Sequence, residues 1–217
     1  MSKHIIKKEE DWLALRKLYI TASQAAMLVG VDPFSSPSKI KNPEPFEGNA
    51  YTIVGQMLEP VVVNVVNSVL KLHRASWYVL YESLCGEKEF YTNGLLGATP
   101  DAHRDRKTLL ECKTTRPLSF LTYGVVPPDK YLIQLIVQLF CTGLEEGYLA
   151  IMSTDLTQKT AKLVWPISLF KVWKCSRICA ILKEEAERFK SAKTFRVNSK
   201  LKQKVKLLLT LCYERII

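Results

Sequence analysis

No uninterrupted apolar run in this sequence reaches the ~18 residues that a membrane helix needs. The two most apolar stretches, residues 61–70 and 131–140, are broken by Asn64, Asn67, Gln134 and Gln138, so no membrane partner is expected. The opening Met-Ser-Lys-His-Ile-Ile-Lys-Lys-Glu-Glu lacks the apolar core of a secretory signal, which points to an intracellular, cytoplasmic protein. CxxC pairs are also missing. The cysteines, Cys85, Cys112, Cys141, Cys175, Cys179 and Cys212, are scattered and read as reduced and mostly buried. Internal repeats and low-complexity segments are absent too. The 217 residues are therefore read as one domain with a sizeable core, with residues 191–217 as a basic C-terminal helical extension.

What the chain does have is positive charge, +10 overall. From Ser168 to Ile217 there are 13 Lys and Arg against 4 Glu, so nearly the whole excess lies in the last quarter. Such a segment is either a solvated helix face with a basic tail or a surface for nucleic acid phosphates.

In chain order, residues 9–19 predict an amphipathic helix with acidic residues first and basic residues last, as the helix dipole prefers. Ile20-Thr-Ala-Ser23 interrupts it, and a second helix follows over Gln24–Val29. Thr21 or Ser23 would cap that helix. A helix start with hydroxyls, next to Arg16, can also hold a phosphate. On these residues alone, a capped helix beside a surface arginine is the simpler reading. Residues 30–50, rich in Gly and Pro, form a long loop whose Lys39 and Lys41 could touch a ligand. A helix is expected over 50–72, kinked or restarted at Pro60 and carrying Glu59. Strands are expected at Trp77–Tyr81 and Glu89–Thr92, joined through a turn at 85–88, with a linker at 116–130. A buried helix follows from Asp129 to Thr142, with Tyr131, Gln134 and Gln138 on one face. Strands at 147–154 and 161–167, a helix over 168–190 and a helical tail over 199–215 complete a mixed α/β arrangement, a central sheet flanked by helices.

The richest stretch is residues 95–115, two β-like runs around a charged turn. With the turn centred near Asp105 and Arg106, Asp101 falls across from Leu110, next to Glu111. A bulge after Pro100 would swing Asp101 toward Glu111. Glu111 and Lys113 share one strand face, Leu110 and Cys112 the other. Two carboxylates with an intervening backbone carbonyl suit a hard divalent cation. Such an ion activates water and polarises a phosphate, with Lys113 orienting or deprotonating the water or offsetting charge. The alternative is a surface hairpin with ordinary solvated charges.

Taken together, Trp12–Arg16, Ile20-Thr-Ala-Ser23, Gly55-x-x-x-Glu59, Gly97-Ala-Thr-Pro-Asp101, Leu110-Glu-Cys-Lys113 and Tyr131-Leu-Ile-Gln134 resemble the YqaJ-type viral recombinase and lambda exonuclease branch of the PD-(D/E)xK nuclease superfamily. The resemblance implies a restriction-endonuclease-like α/β core. It implies Asp101 and Glu111 as metal carboxylates, the Cys112 carbonyl as a further ligand, and Lys113 as the catalytic lysine. Glu59 and Gln134 would be helix-borne site residues, and Arg16, Ser23 and Thr21 would hold a DNA 5′-phosphate. The implied cofactor is Mg²⁺, with Mn²⁺ as an alternative ion. The implied activity is 5′→3′ digestion of linear double-stranded DNA, leaving 3′ single strands for viral or phage recombination inside a host cell. A single-strand annealing protein and a ring-shaped homotrimer are implied as partners. The family's second Gln, two residues after the first, is replaced here by Ile136, and the next amide is Gln138. Cys175 and Cys179 have no third cysteine close by, so an iron–sulfur version of this fold is rejected. Competing readings are an endonuclease, an RNA or single-strand nuclease, and a DNA-binding protein that has lost catalysis.

Overall fold

The computed structural model describes residues 1–42, 50–72, 78–80, 87–155 and 162–217. The expected positions of Pro43, Pro45, Gly48, Trp77, Tyr81, Cys85, Gly86 and Ala161 lie outside them. A strand that the sequence does not announce, β1 (Ser2–Ile6), comes first. Helix α1 (Glu9–Leu18) follows, opening on Glu9, Glu10 and Asp11 and closing on Arg16 and Lys17. Then come a short β2 (Ile20–Thr21), α2 (Ala22–Leu28) and α3 (Ser38–Lys41). Lys41 donates to the Ala192 carbonyl at 2.6 Å and lies over the Phe189 ring, so it ties this loop to the C-terminal region. Helix α4 (Ala50–Val69) runs through Pro60 as one 20-residue element, where a kink or a restart is expected. Having no N–H, Pro60 cannot donate to the Gln56 carbonyl.

Four strands follow: β3 (Val79–Leu80), β4 (Lys88–Asn93), β5 (Leu96–Ala98) and β6 (Ala102–Arg104). Strand β7 (Thr108–Thr115) completes the hairpin. Helix α5 (Pro117–Tyr123) lies where a linker is expected, with Pro117 in its first turn. Helix α6 (Asp129–Thr142) ends at Gly143, whose φ of 77° is a left-handed cap. Strands β8 (Glu146–Asp155) and β9 (Lys162–Trp173), helices α7 (Ser176–Ser191) and α8 (Ser199–Leu209), and β10 (Tyr213–Arg215) close the chain. Residues 168–173, expected as helix, are strand. Lying in mid-sheet, Ser168, Leu169, Phe170 and Val172 are buried and Lys171 and Trp173 partly so. The expected helical tail becomes α8 followed by strand. Val205, Leu209 and Cys212 enter the main core, and Tyr213 pairs with Val172 of β9.

The strands form a four-stranded sheet, β1-β4-β5-β2, and a six-stranded sheet, β10-β9-β8-β7-β6-β3. Strand β7 runs parallel to β8 and antiparallel to β6. Its side chains alternate between two cores. Leu109 packs with Leu132, Ile133 and Leu135 of α6, while Leu110 and Cys112 pack with Val62, Val63 and Val66 of α4. On length and composition alone Thr52–Val69 could cross a membrane. Here its valines instead cover one face of the larger sheet. Burying each such side chain stabilises by about 1.5–3 kcal/mol.

Arg106, at the tip of the β6–β7 hairpin, donates two hydrogen bonds at 3.0 Å to Glu89 on β4. Glu89 also takes Lys3 at 2.6 Å and the Tyr91 hydroxyl at 2.5 Å. Burial alone would raise the pKa of Glu89, but these donors lower it to about 2. The hairpin is thus fastened to the smaller sheet.

Candidate active site

The three-residue turn Asp105-Arg106-Lys107 shifts the expected register by one residue. Ala102, not Asp101, pairs with Leu110, and Arg104 pairs with Thr108. The ladder between β6 and β7 is regular, so no bulge is needed to bring Asp101 toward Glu111. Both Asp105 and Arg106 sit at φ of 52°, in the left-handed region that tight hairpin turns use.

The ladder stops at Ala102 because Pro100 has no N–H to offer and the chain bends at Asp101. The Cys112 N–H, left without a strand partner on that side, donates to Asp101 Oδ2 at 2.8 Å. In a strand, the N–H and C=O of one residue point to the same edge, so the Cys112 carbonyl faces this open edge as well. Burial holds the Cys112 thiol well above its usual pKa, and Asp101 and Glu111 add to the shift. The Cys112 side chain belongs to the apolar cluster of Leu110 and the α4 valines, so the carbonyl is the donor that it presents at this edge.

Glu111 is fully buried. Gln134 Nε2 donates to its Oε1 at 2.5 Å, Gln138 Nε2 donates to its Oε2 at 2.5 Å, and Lys113 Nζ forms an ion pair with Oε1. Lys113 also lies over the Tyr131 ring, 5.6 Å from its centroid. Burial opposes the charge on Lys113, yet the carboxylates of Glu111 and Asp101 outweigh it and raise its pKa above the ordinary lysine value. Asp101 is pushed the other way from its usual state. Burial, and then the nearby Glu111 carboxylate, raise its pKa well above that of an ordinary aspartate, and Glu59 adds to the effect.

A cleft of about 390 Å³ opens beside Asp101. It is lined by Glu59 from α4, Gln134 and Gln138 from α6, and Arg16, Thr21 and Ser23 from the N-terminal elements. A second recess, about 410 Å³, lies on the Lys113 side and shares Ser23, Glu59 and Gln134 with the first. Cys112 lines it too. Every residue to which the resemblance gives a role, apart from the fully buried Glu111, therefore lines one of two adjoining hollows. Arg16 stacks on the Trp12 indole at 4.2 Å, and burial lowers its pKa somewhat. The Thr21 and Ser23 hydroxyls are 3.1 Å apart. Gln24 accepts the Thr21 N–H at 3.0 Å, fixing the start of α2.

Trp12, Thr99 and Lys88 also line the wall, with no role assigned from the sequence. Trp12 donates to the Thr99 hydroxyl at 3.1 Å, and Lys88 Nζ sits 4.4 Å from the Trp12 ring. Lys88 reads as part of a turn until β4 is seen to start there. Trp12 and Thr99 both lie inside motifs quoted above, and only the fold brings them together.

The donor set can be tested against a divalent cation. Asp101 Oδ1 has no hydrogen-bond donor among the described residues, and the two carboxylates crowd each other in a buried place. A cation would relieve that repulsion, so Asp101, Glu111 and the Cys112 carbonyl fit one. Among the described residues no third His, Cys, Asp or Glu side chain gathers with them at metal-binding distance. Glu59 faces the same cleft without joining a cluster.

A family model described as the YqaJ-like viral recombinase domain matches residues 11–145. The chain belongs to this family. The YqaJ-like region contains every candidate residue from Trp12 to Gln138. No curated protein sequence matches the chain. Among solved structures, an alkaline exonuclease from Laribacter hongkongensis is similar at 18% identity, with 93% of this chain and 97% of that chain covered and a TM-score of 0.57. The same exonuclease in complex with dAMP gives 17% identity over 93% and 97% of the two chains, with a TM-score of 0.54. A phage-related exonuclease from Haemophilus somnus 129PT is similar at 14% identity over 90% and 98%, with a TM-score of 0.60. The YqaJ-like chain thus has the PD-(D/E)xK fold, a mixed sheet flanked by helices.

Proposed function

We propose that this protein is a Mg²⁺-dependent DNA exonuclease that digests one strand of linear duplex DNA from its 5′ end, leaving a 3′ single strand for viral or phage recombination. The observation that carries the reading is the convergence of Asp101, Glu111 and Lys113 at the open edge of β7, beside a cleft whose wall also bears Arg16 and Ser23. Membership of a viral recombinase family and a fold shared with proteins described as exonucleases support it.

Asp101, Glu111 and the Cys112 carbonyl would hold the cation. When bound, Mg²⁺ polarises the scissile phosphate and makes an attacking water more acidic. Lys113, kept protonated by its carboxylate neighbours, orients that water and offsets negative charge growing on the phosphate. Gln134 fixes Glu111 Oε1. Arg16, with the Ser23 and Thr21 hydroxyls, receives the terminal 5′-phosphate as a charge-assisted contact, and Trp12 holds the guanidinium flat beside the cleft. Mn²⁺ would serve in place of Mg²⁺ because both favour oxygen ligands. A ring-shaped homotrimer and a single-strand annealing partner in the host cytoplasm belong to the same proposal.

The direct test is Lys113→Ala. Cleavage should fall by at least ~10²-fold, the scale of losing one preorganised donor, while DNA binding persists. Cleavage at the wild-type rate would overturn the site.

A further inference from the structure

Helix α6 is apolar around most of its circumference. Leu135, Ile136, Val137 and Leu139, the immediate neighbours of Gln138, are all essentially buried. Gln138 is itself 1% exposed, in a place that an aliphatic side chain would fill. Its Nε2 donates to Glu111 Oε2 at 2.5 Å, while its Oε1 has no hydrogen-bond partner. Turning the amide over would set its oxygen against a carboxylate oxygen, so the assignment of Nε2 as the donor is forced by chemistry. A buried amide satisfied on one side only is poor for folding. What the position gains is a grip on one carboxylate.

Gln134 and Gln138 are four residues apart and share a helix face. Position 136 faces elsewhere and holds a fully buried Ile. Gln134 takes Glu111 Oε1 and Gln138 takes Oε2. A carboxylate offers about four lone-pair sites. With Lys113 also on Oε1, three are occupied, and the one remaining is on Oε2. We infer that Gln138 is a positioning residue: with Gln134 one turn earlier it clamps Glu111 from both oxygens and leaves only Oε2 with a site for the cation.

The inference rests on the metal reading above, and its test separates the two. Mn²⁺ is titrated calorimetrically into the DNA-free chain. Wild type should bind, and Asp101→Ala should abolish binding. Gln138→Met keeps the volume but removes both amide atoms. It should bind Mn²⁺ about tenfold or more weakly, the usual cost of losing a partner behind a metal ligand. Gln138→Asn, one methylene too short to reach, should behave like Gln138→Met. Gln138→Leu is a further variant in case either does not fold. A thermal midpoint for each variant shows that the fold is retained. If Asp101→Ala abolishes Mn²⁺ binding but folded Gln138 variants bind like wild type, Gln138 only fills space and the clamp is wrong. If wild type takes up no Mn²⁺, or Asp101→Ala leaves uptake unchanged, the carboxylate site fails and the clamp fails with it.

Discussion

The Cys112 N–H donates to Asp101 Oδ2 at 2.8 Å, at the point where β6 and β7 cease to pair. The bond makes the end of a ladder do two things. It satisfies a backbone donor that would otherwise be orphaned, and it pins one acidic side chain across from another. The carbonyl of the same residue is turned to the cleft by the same strand geometry.

That arrangement has a stability signature. Asp101 has a raised pKa because of burial and of Glu111. In the unfolded chain it ionises in the ordinary aspartate range, so folding must keep it protonated or charge it unfavourably. Its contribution to stability is present below that range and is lost as pH rises toward the raised value. Asp101→Asn removes this loss. In metal-free buffer at neutral pH the variant should melt higher, by about 2–4 °C for each kcal/mol relieved, while losing cleavage. A lower melting point than wild type would contradict the crowding of the two carboxylates.

Glu89 has the opposite sign. Its pKa is held at about 2 by Arg106, Lys3 and Tyr91 against the effect of burial. Its contribution is full above the ordinary glutamate range and fades as pH falls through that range toward 2. Glu89→Gln should cost about 1–2 kcal/mol at pH 7, allowing for solvent screening of the half-exposed Arg106. It should also flatten the acid limb of the stability curve. Urea midpoints at several pH values between 3 and 7, about the range where the wild-type limb falls, check this. An unchanged acid limb would mean that the hairpin tip is not fastened there.

Arg16 sits on Trp12 and, among the described residues, forms no ion pair with a carboxylate. Arg16→Ala should therefore slow digestion of 5′-phosphorylated ends far more than that of 5′-hydroxyl ends, by roughly the tenfold or more expected for a charge-assisted hydrogen bond. Equal slowing on both ends would argue against recognition of the phosphate.

On α8, Lys200 and Lys204 are exposed and share a face, whereas Lys206 is near Asp129 at 3.7 Å. If this face meets DNA, replacing Lys200 and Lys204 by Ala should lower the slope of log K against log salt by about 1 for each phosphate no longer neutralised. An unchanged slope would leave α8 as a solvated surface.

The facing of β7 is readable in the sequence. Strict alternation places Glu111 and Lys113 opposite Leu110 and Cys112, and the polar face of α6 stands out against an apolar helix. The register is not readable to the residue, because a three-residue turn and a two-residue turn look alike around Asp105 and Arg106. Strand β1 gives little signal because Ser2–Ile6 is short, contains Lys3 and runs into Lys7 and Lys8, and its partner β4 is more than eighty residues away. The second half of β9 resembles helix since Ser168–Val172 is almost wholly buried, and a buried strand shows no alternation. Gln138 can be seen in the sequence but not weighed. Its importance depends on the distance to Glu111, which spacing alone does not provide.

The central claim is tested most directly by digesting linear duplex DNA, labelled at either the 5′ or the 3′ end, with the wild-type protein in Mg²⁺, beside a covalently closed circle. The account predicts early release of the 5′ label, persistence of the 3′ label on a lengthening single strand, an intact circle and no digestion in a chelator. Cutting of the circle, or release of the 3′ label first, would contradict it.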